Sequence, residues 1–318
     1  MKIVANRNRL IFALASAARP APAESPRVGT QQGYVVVAVR CGSLPFLFDM
    51  PKVVLITGAS SGIGKAIAEY LSNNDFLVFG TARNPSNYES PKKYRLISLE
   101  ITSQESIVNC VATVLKEAGR IDVLINNAGR GMTGPVEELG LSAVRELFET
   151  NYFGPTALMQ AVLPHMRKSR SGAIINITSI AGYMGLPFRA HYSSVKSALH
   201  MLSEGMRLEL TSFGIKVYTL APGDFATDIA SRRLNATVNQ DSVYYETYKR
   251  QLTLFDSHVS EAMNPEVVAK QVLDILNNPP KKIHFLVAGT LQRLSVLLLK
   301  PLLPQWQYEK LIANHYKL

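Results

Sequence analysis

Cysteine is nearly missing from this 318-residue chain. Cys41 and Cys110 stand far apart, so their spacing gives no disulfide framework and no thiolate metal site. Cys110 falls in a helical pattern and is read as a buried packing residue. His165, His200, His258 and His284 have no partner at metal-ligand spacing, and His191 reads as packed or solvated, so no metal is expected. No run reaches the roughly 18 apolar residues of a membrane-spanning helix, and a cytoplasmic location is expected. A formal net charge of +10 would suit nucleic acid or a membrane surface. The chain has no nucleic-acid motif and no long block of like charge, so that charge is read as a general surface property and no nucleic-acid partner is expected. Internal repeats and interior low-complexity linkers are lacking too.

Residues 1–49 differ from the rest. Lys2, Arg7 and Arg9 precede an apolar run from Leu10 to Ala18, and a Pro/Ala stretch follows from Arg19 to Pro26. The pattern partly imitates a secretory signal and partly an Arg-rich transit peptide. A third reading treats it as disordered or as no part of the functional protein, because Met50-Pro51-Lys52 stands directly before the first expected core strand.

From there strand and helix patterns alternate, which predicts a parallel, doubly wound α/β sheet. Val53 to Ile56 is a continuous apolar run of the kind buried on both faces. Thr57-Gly58-Ala59-Ser60-Ser61-Gly62-Ile63-Gly64 follows, then a helical pattern. Strand, glycine turn and helix start are the parts of a dinucleotide cradle: the glycines admit the pyrophosphate and the helix N-terminus faces it with free N–H groups. The spacing is Gly-x3-Gly-x-Gly rather than Gly-x-Gly-x2-Gly. Phe76 to Thr81 reads as the second strand. Near its end an acidic residue would hold ribose hydroxyls, but Ala82 and Arg83 stand there. A guanidinium pairs with a 2′-phosphate that a carboxylate would repel, so Arg83 predicts NADP over NAD.

Strands are further predicted at Leu96–Leu99, Val123–Ile125, Ala173–Thr178, Val217–Leu220 and Ile283–Val287, about seven in all. Thr102 or Ser103 caps a helix to about Ala118, and Leu141 to about Met166 holds two helical stretches with Asn151 between or within them. Asn126-Asn127-Ala128-Gly129 ends the fourth strand and Ser179 lies just past the fifth. A helix from about Ala190 to Phe213 carries Tyr192 and Lys196, four residues apart on one face. A cation about 4 Å from the phenol, at an effective dielectric near 20, is worth roughly 4 kcal/mol, or about three pKa units, before screening. That brings tyrosine towards the working range of a general acid.

These motifs, in this order, resemble the classical short-chain dehydrogenase/reductase family over about Pro51 to Val287. The resemblance rests on the Thr57–Gly64 turn, Asn126–Gly129, Asn151, Ser179, Tyr192-x3-Lys196 and Pro222-Gly223. It implies a Rossmann-type fold, carbonyl–alcohol interconversion by hydride transfer, and a catalytic tetrad of Asn151, Ser179, Tyr192 and Lys196. By position it implies that Gly58, Ser60, Ser61, Gly62, Ile63 and Gly64 line the diphosphate, and that Arg83 takes the 2′-phosphate. Asn127, Ala128 and Gly129 then lie along the adenosine, Pro222, Gly223 and Phe225 along the nicotinamide, and Thr227 reaches the carboxamide. Tyr192 and Lys196 also meet the nicotinamide ribose. Glu100 departs from the family, which more often has Asp there. A homo-oligomer is implied by resemblance alone.

The expected domain is 50–288, with a substrate loop at 224–263. Phe225, Tyr244, Tyr245, Tyr248, Leu252, Leu254 and Phe255, with Gly182 to Phe188, suggest a bulky apolar carbonyl or alcohol: lipid-, steroid- or retinoid-like. Residues 289–318 form a leucine-rich C-terminal extension with Arg293 and Lys300. It is expected to pack over the cleft or a second subunit, with peripheral membrane contact as the alternative. Two other functions share such a fold: an NADP-binding regulator without turnover, and an epimerase or dehydratase.

Overall fold

The structure, a computed structural model, describes residues 2–6, 9–13, 50–91, 93–223, 225, 233–260 and 263–318. The chain divides into two units, Met1–Met50 and Pro51–Leu318. In the first, Lys2–Asn6 pairs antiparallel with Arg9–Ala13. The remaining residues read as a possible targeting segment lie outside the described residues.

In the second unit, residue alternation along the first core strand sorts the side chains into two layers. That strand is Val53–Ile56 (β1). Val53 and Leu55 join one apolar cluster while Val54 and Ile56 join the other, as successive strand residues point to opposite faces. Helix Gly62–Ser72 (α1) and strands Leu77–Ala82 (β2) and Arg95–Ser98 (β3) follow. Next come Gln104–Ala118 (α2), Val123–Asn126 (β4), Leu141–Phe148 (α3) and Gly154–Ser169 (α4). Gly172–Ile177 (β5), Ala190–Leu210 (α5) and Ile215–Pro222 (β6) lead to Tyr245–Ser260 (α6), Glu266–Asn277 (α7) and His284–Val287 (β7).

The sheet order is β7-β6-β5-β4-β1-β2-β3, with each neighbouring pair parallel. This is the doubly wound Rossmann arrangement. Its order reverses between β1 and β4, where a crevice opens at the strands' carboxyl ends. One face is covered by α2, α4 and α5 through Ile107, Val114, Leu158, Val162, Leu199 and Met206. The other is covered by α1 and α7 through Ile67, Leu71, Val268 and Val272. Ser103 caps α2, its hydroxyl accepting from the Ser106 N–H. Cys110 is buried on that helix, and burial pushes its thiol up to about 12.

A buried polar line crosses the sheet. Asn126 Nδ2 donates to Asn176 Oδ1 at 2.8 Å, and Asn176 Nδ2 donates to Ser203 Oγ at 2.9 Å. It ties β4, β5 and α5 together. The C-terminal segment is helical: Thr290–Leu294, a π-turn Ser295–Leu299, Lys300–Leu302, and then Gln305–His315 (α8). No helix among the described residues is long and apolar enough to cross a membrane.

Candidate active site

The glycine turn after β1 is built around close approaches. Gly58 and Gly62 have φ of +69° and +56°, backbone that side chains disfavour. A Cβ on Gly64 would lie 2.2 Å from the Gly58 carbonyl oxygen and 2.4 Å from Asn127 Nδ2. The Asn127 amide donates to the carbonyls of Thr57 (2.9 Å) and Gly58 (3.2 Å). The Thr57 hydroxyl accepts from the N–H groups of Asn127 and Ala128, both at 2.9 Å. Tyr94 donates its hydroxyl to the Ala59 carbonyl at 2.8 Å. The turn is therefore stitched to β4 and braced from the β3 side.

At the start of α1, Ser61 makes no side-chain cap and the first turn holds no acidic residue. Lys65 is the first donor back into the helix, to the Ser61 carbonyl, so the amides of Gly62, Ile63 and Gly64 remain for an anion. This cradle fits a pyrophosphate. It opens into a cleft of about 940 Å³ whose walls include each described residue named above for cofactor or catalysis: Gly58, Ser60, Ser61, Gly62, Ile63, Gly64, Arg83, Asn127, Ala128, Gly129, Asn151, Ser179, Tyr192, Lys196, Pro222, Gly223 and Phe225. Thr227 lies outside the described residues, as do Asp224 and much of the expected substrate loop.

Arg83 is exposed at the cleft edge beyond β2 and has no carboxylate partner among the described residues. Glu100 turns its carboxylate onto Thr102, accepting from that hydroxyl at 2.9 Å. Pro222 ends β6, and Phe225 is buried, bridging to Met263.

Asn151 sits in a π-turn, Glu149–Phe153, between α3 and α4. Such turns insert one extra residue and are frequent at functional sites. Asn151 is 1% exposed; its Nδ2 donates to the Leu147 (3.0 Å) and Arg130 (3.2 Å) carbonyls, and its Oδ1 accepts from the Arg130 N–H (3.3 Å). Gly129 keeps room for it, since a Cβ there would meet Asn151 Oδ1 at 2.6 Å and Lys196 Nζ at 3.5 Å. Lys196 is 5% exposed and donates to the Ile177 carbonyl at 3.1 Å. Its Nζ is 5.9 Å from the Tyr192 ring centroid. In the structure a backbone carbonyl holds the ammonium, and burial lowers the lysine to about 8. Ser179 caps a short turn, its hydroxyl accepting from the Ala181 N–H at 3.2 Å.

A separate apolar cluster holds Ala181, Leu186, Phe255 and Tyr316, with Met184, Phe188, Tyr192, Leu252, Leu254 and Ile312 packed against it. Tyr316 and Ile312 come from the C-terminal extension, which thus packs on the cluster that holds Tyr192. Three of the tyrosines expected near the substrate have partners within the chain. Tyr244 donates to Glu137 at 2.8 Å, the Lys249 ammonium sits 5.7 Å from the Tyr245 ring, and Tyr248 lies buried against Thr133. Sequence reading missed Arg189 and Arg233, which line the cleft, and Gln292, whose amide oxygen would stand 2.2 Å from a Cβ on Gly223. Their sequence neighbourhoods, Pro187-Phe188-Arg189, Ser231-Arg232-Arg233 and Leu291-Gln292-Arg293, share no pattern that would mark them.

Sequence spacing also missed a histidine group. His200 and Glu204 on α5 meet His284 on β7, with His284 Nε2 at 2.9 Å and His200 Nε2 at 3.6 Å from Glu204 Oε1. The two rings stack at 3.9 Å and 14°, and one ligand atom from each of the three residues lies within 4.8 Å of the others. Burial first, then the neighbouring His284, pushes His200 down to about 4, against an opposing pull from Glu204.

Glycine cradle, sheet reversal and a polar cleft at the strand ends together define a dinucleotide-binding enzyme. The short chain dehydrogenase family matches residues 52–237, and the chain belongs to it. A 3-ketodihydrosphingosine reductase of Bacteroides thetaiotaomicron is 39% identical over 233 residues, 72% of this chain and 86% of the relative. The crystal structure of a short-chain dehydrogenase from Streptomyces avermitilis is 32% identical with a TM-score of 0.70, covering 84% of this chain and 96% of that one. The structure of ElxO with NADP bound is 29% identical with a TM-score of 0.61, covering 76% and 98%. The protein is an oxidoreductase acting on CH–OH groups with a nicotinamide cofactor and a small-molecule substrate.

Proposed function

We propose that this enzyme uses NADP(H) to interconvert a bulky apolar carbonyl and its alcohol, with Asn151, Ser179, Tyr192 and Lys196 as the working groups. The carrying observation is that these four side chains, from α5, the β5 end and the π-turn, line the cleft into which the glycine cradle opens. A nicotinamide cofactor supplies or accepts the hydride. Tyr192 donates a proton to the carbonyl oxygen, or removes it from the alcohol in reverse. Ser179 hydrogen-bonds the same oxygen and orients it. Lys196 binds the nicotinamide ribose and supports the charge on the phenol, while Asn151 holds the water that links Lys196 to solvent. Gly58, Ser60–Gly64, Asn127–Gly129, Pro222, Gly223, Phe225 and Thr227 hold the cofactor. The activity belongs to residues 50–288, with 289–318 as an extension and 1–49 outside the functional unit. A cytoplasmic homo-oligomer completes the proposal.

For the cofactor, exposed Arg83 offers a 2′-phosphate a bidentate partner, and a relative is seen with NADP bound. Arg83→Ala is expected to lower NADP affinity about 10- to 100-fold, with little change for NAD, since hydrogen bonds between charged groups are worth about 1.5–3 kcal/mol. Competitive titration of both cofactors checks this; an unchanged NADP/NAD ratio would remove the assignment.

For the substrate, the apolar cluster beside Tyr192 and a relative named 3-ketodihydrosphingosine reductase support the reading. NADPH oxidation against a chain-length series of ketones and aldehydes tests it. Rate over KM should climb with chain length by a few-fold per added methylene or less. Activity confined to small polar carbonyls would sink it.

A further inference from the structure

The C-terminal segment is apolar on both sides, and among the described residues one side packs on the rest of the chain while the other is exposed. Its inward stripe holds Gln292, Val296, Tyr308, Ile312 and Tyr316. Tyr308 reaches Met184 Sδ at 3.0 Å and Ser295 Oγ at 3.1 Å, and Ile312 and Tyr316 pack on the cluster around Tyr192. Its outward side exposes Leu291 (81%), Leu298 (49%), Leu302 (75%) and Trp306 (64%), with Leu294 and Leu311 beside them. Leu291, Leu294, Leu298 and Leu302 are all exposed along the segment, before, within and after the π-turn. Solvent-facing leucine in a continuous stripe marks an interaction surface rather than ordinary scatter. Within residues 289–318 the basic residues are Arg293, Lys300, Lys310 and Lys317, against a single acid, Glu309.

We propose that this outward stripe docks on an anionic lipid surface, so that apolar substrate passes from the bilayer to the cleft beneath the same segment. Leucines and a tryptophan flanked by cations match a lipid interface: the apolar side chains enter the acyl boundary and the ammonium groups meet headgroup phosphates. A second copy of this chain would bring four cations against four, with two acids between them, so the charge pattern favours lipid. The docking stripe stands on its own geometry; the passage of substrate rests on the proposed reading of the cleft.

Trp306 is the chain's single tryptophan, so its fluorescence reports on this face directly. The full chain is titrated with phosphatidylcholine vesicles with and without phosphatidylserine. The expected result is a blue shift of Trp306 emission and co-sedimentation with the phosphatidylserine vesicles, both weakened by salt. Combined Leu294→Ser, Leu298→Ser and Leu302→Ser should lower vesicle affinity at least about tenfold, since each removes apolar area from the contact. The same variant should keep turnover of a water-soluble carbonyl, because these side chains are exposed. No emission change with either vesicle overturns the proposal, as does equal binding to both. So does a wild-type oligomer that the triple variant splits, which would assign the face to a second copy. Vesicle binding without turnover of any carbonyl would instead overturn the reading of the cleft and leave the docking face standing.

Discussion

Tyr192→Phe is expected to lower carbonyl reduction by about 10²- to 10⁴-fold, the range that a positioned acid supplies, while NADPH binding changes little. The variant keeps the ring that packs in the substrate cluster and loses only the hydroxyl. Stopped-flow turnover paired with NADPH fluorescence titration separates the two effects. A loss in binding equal to the loss in rate would make Tyr192 a cofactor-seat residue instead. A pH profile adds a second handle. Lys196 is charged below its folded pKa of about 8 and neutral above it. Support for a phenolate, and attraction of the cofactor's phosphates, are therefore present below that value and fade as pH rises through it. NADPH affinity of the cofactor-free enzyme should fall across that window, and Lys196→Gln should flatten the fall.

Gly64→Ala carries the second large effect. The added methyl would sit 2.2 Å from the Gly58 carbonyl oxygen and 2.4 Å from Asn127 Nδ2, both parts of the frame that shapes the cradle. Neither can withdraw cheaply: Gly58 is backbone, and Asn127 is held by two carbonyls. NADPH affinity should drop by about two orders of magnitude, with a stability loss of about 1–3 kcal/mol as for other overpacked sites. Gly205→Ala on α5 is the control, since nothing lies within 4 Å of its added Cβ. It should bind NADPH normally and melt no lower, alanine being the better helix former. If Gly64→Ala binds NADPH as tightly as the parent, the cradle is elsewhere.

Much of the site was legible because its signals are local. Val53–Ile56 followed at once by the glycine turn announces strand, cradle and helix, since each depends on neighbours in sequence. Arg83, Ser179 and the Tyr192–Lys196 step lie at strand ends or on one helix face for the same reason. The π-turn at Asn151 was not legible: an amide flanked by Thr150 and Tyr152 gives no sign that the helix gains a residue there. The meeting of His200, Glu204 and His284 depends on α5 crossing β7, which no spacing encodes. Tyr244 and Tyr245 suited a substrate wall by composition, yet Tyr244 prefers Glu137, a carboxylate 107 positions away. The C-terminal extension was legible as apolar and basic; that it has a covered side and a bare side depends on which turns reach Met184 and the Tyr192 cluster.

The buried run from Asn126 through Asn176 to Ser203 ties β4, β5 and the helix bearing Tyr192 together. In the proposed reaction the gap that the hydride crosses is then set by this interior network rather than by the rim. On the proposed reading, descendants of this chain can exchange the segment beyond Thr227 and the C-terminal helices for new substrates or new surroundings, and inherit the same chemistry.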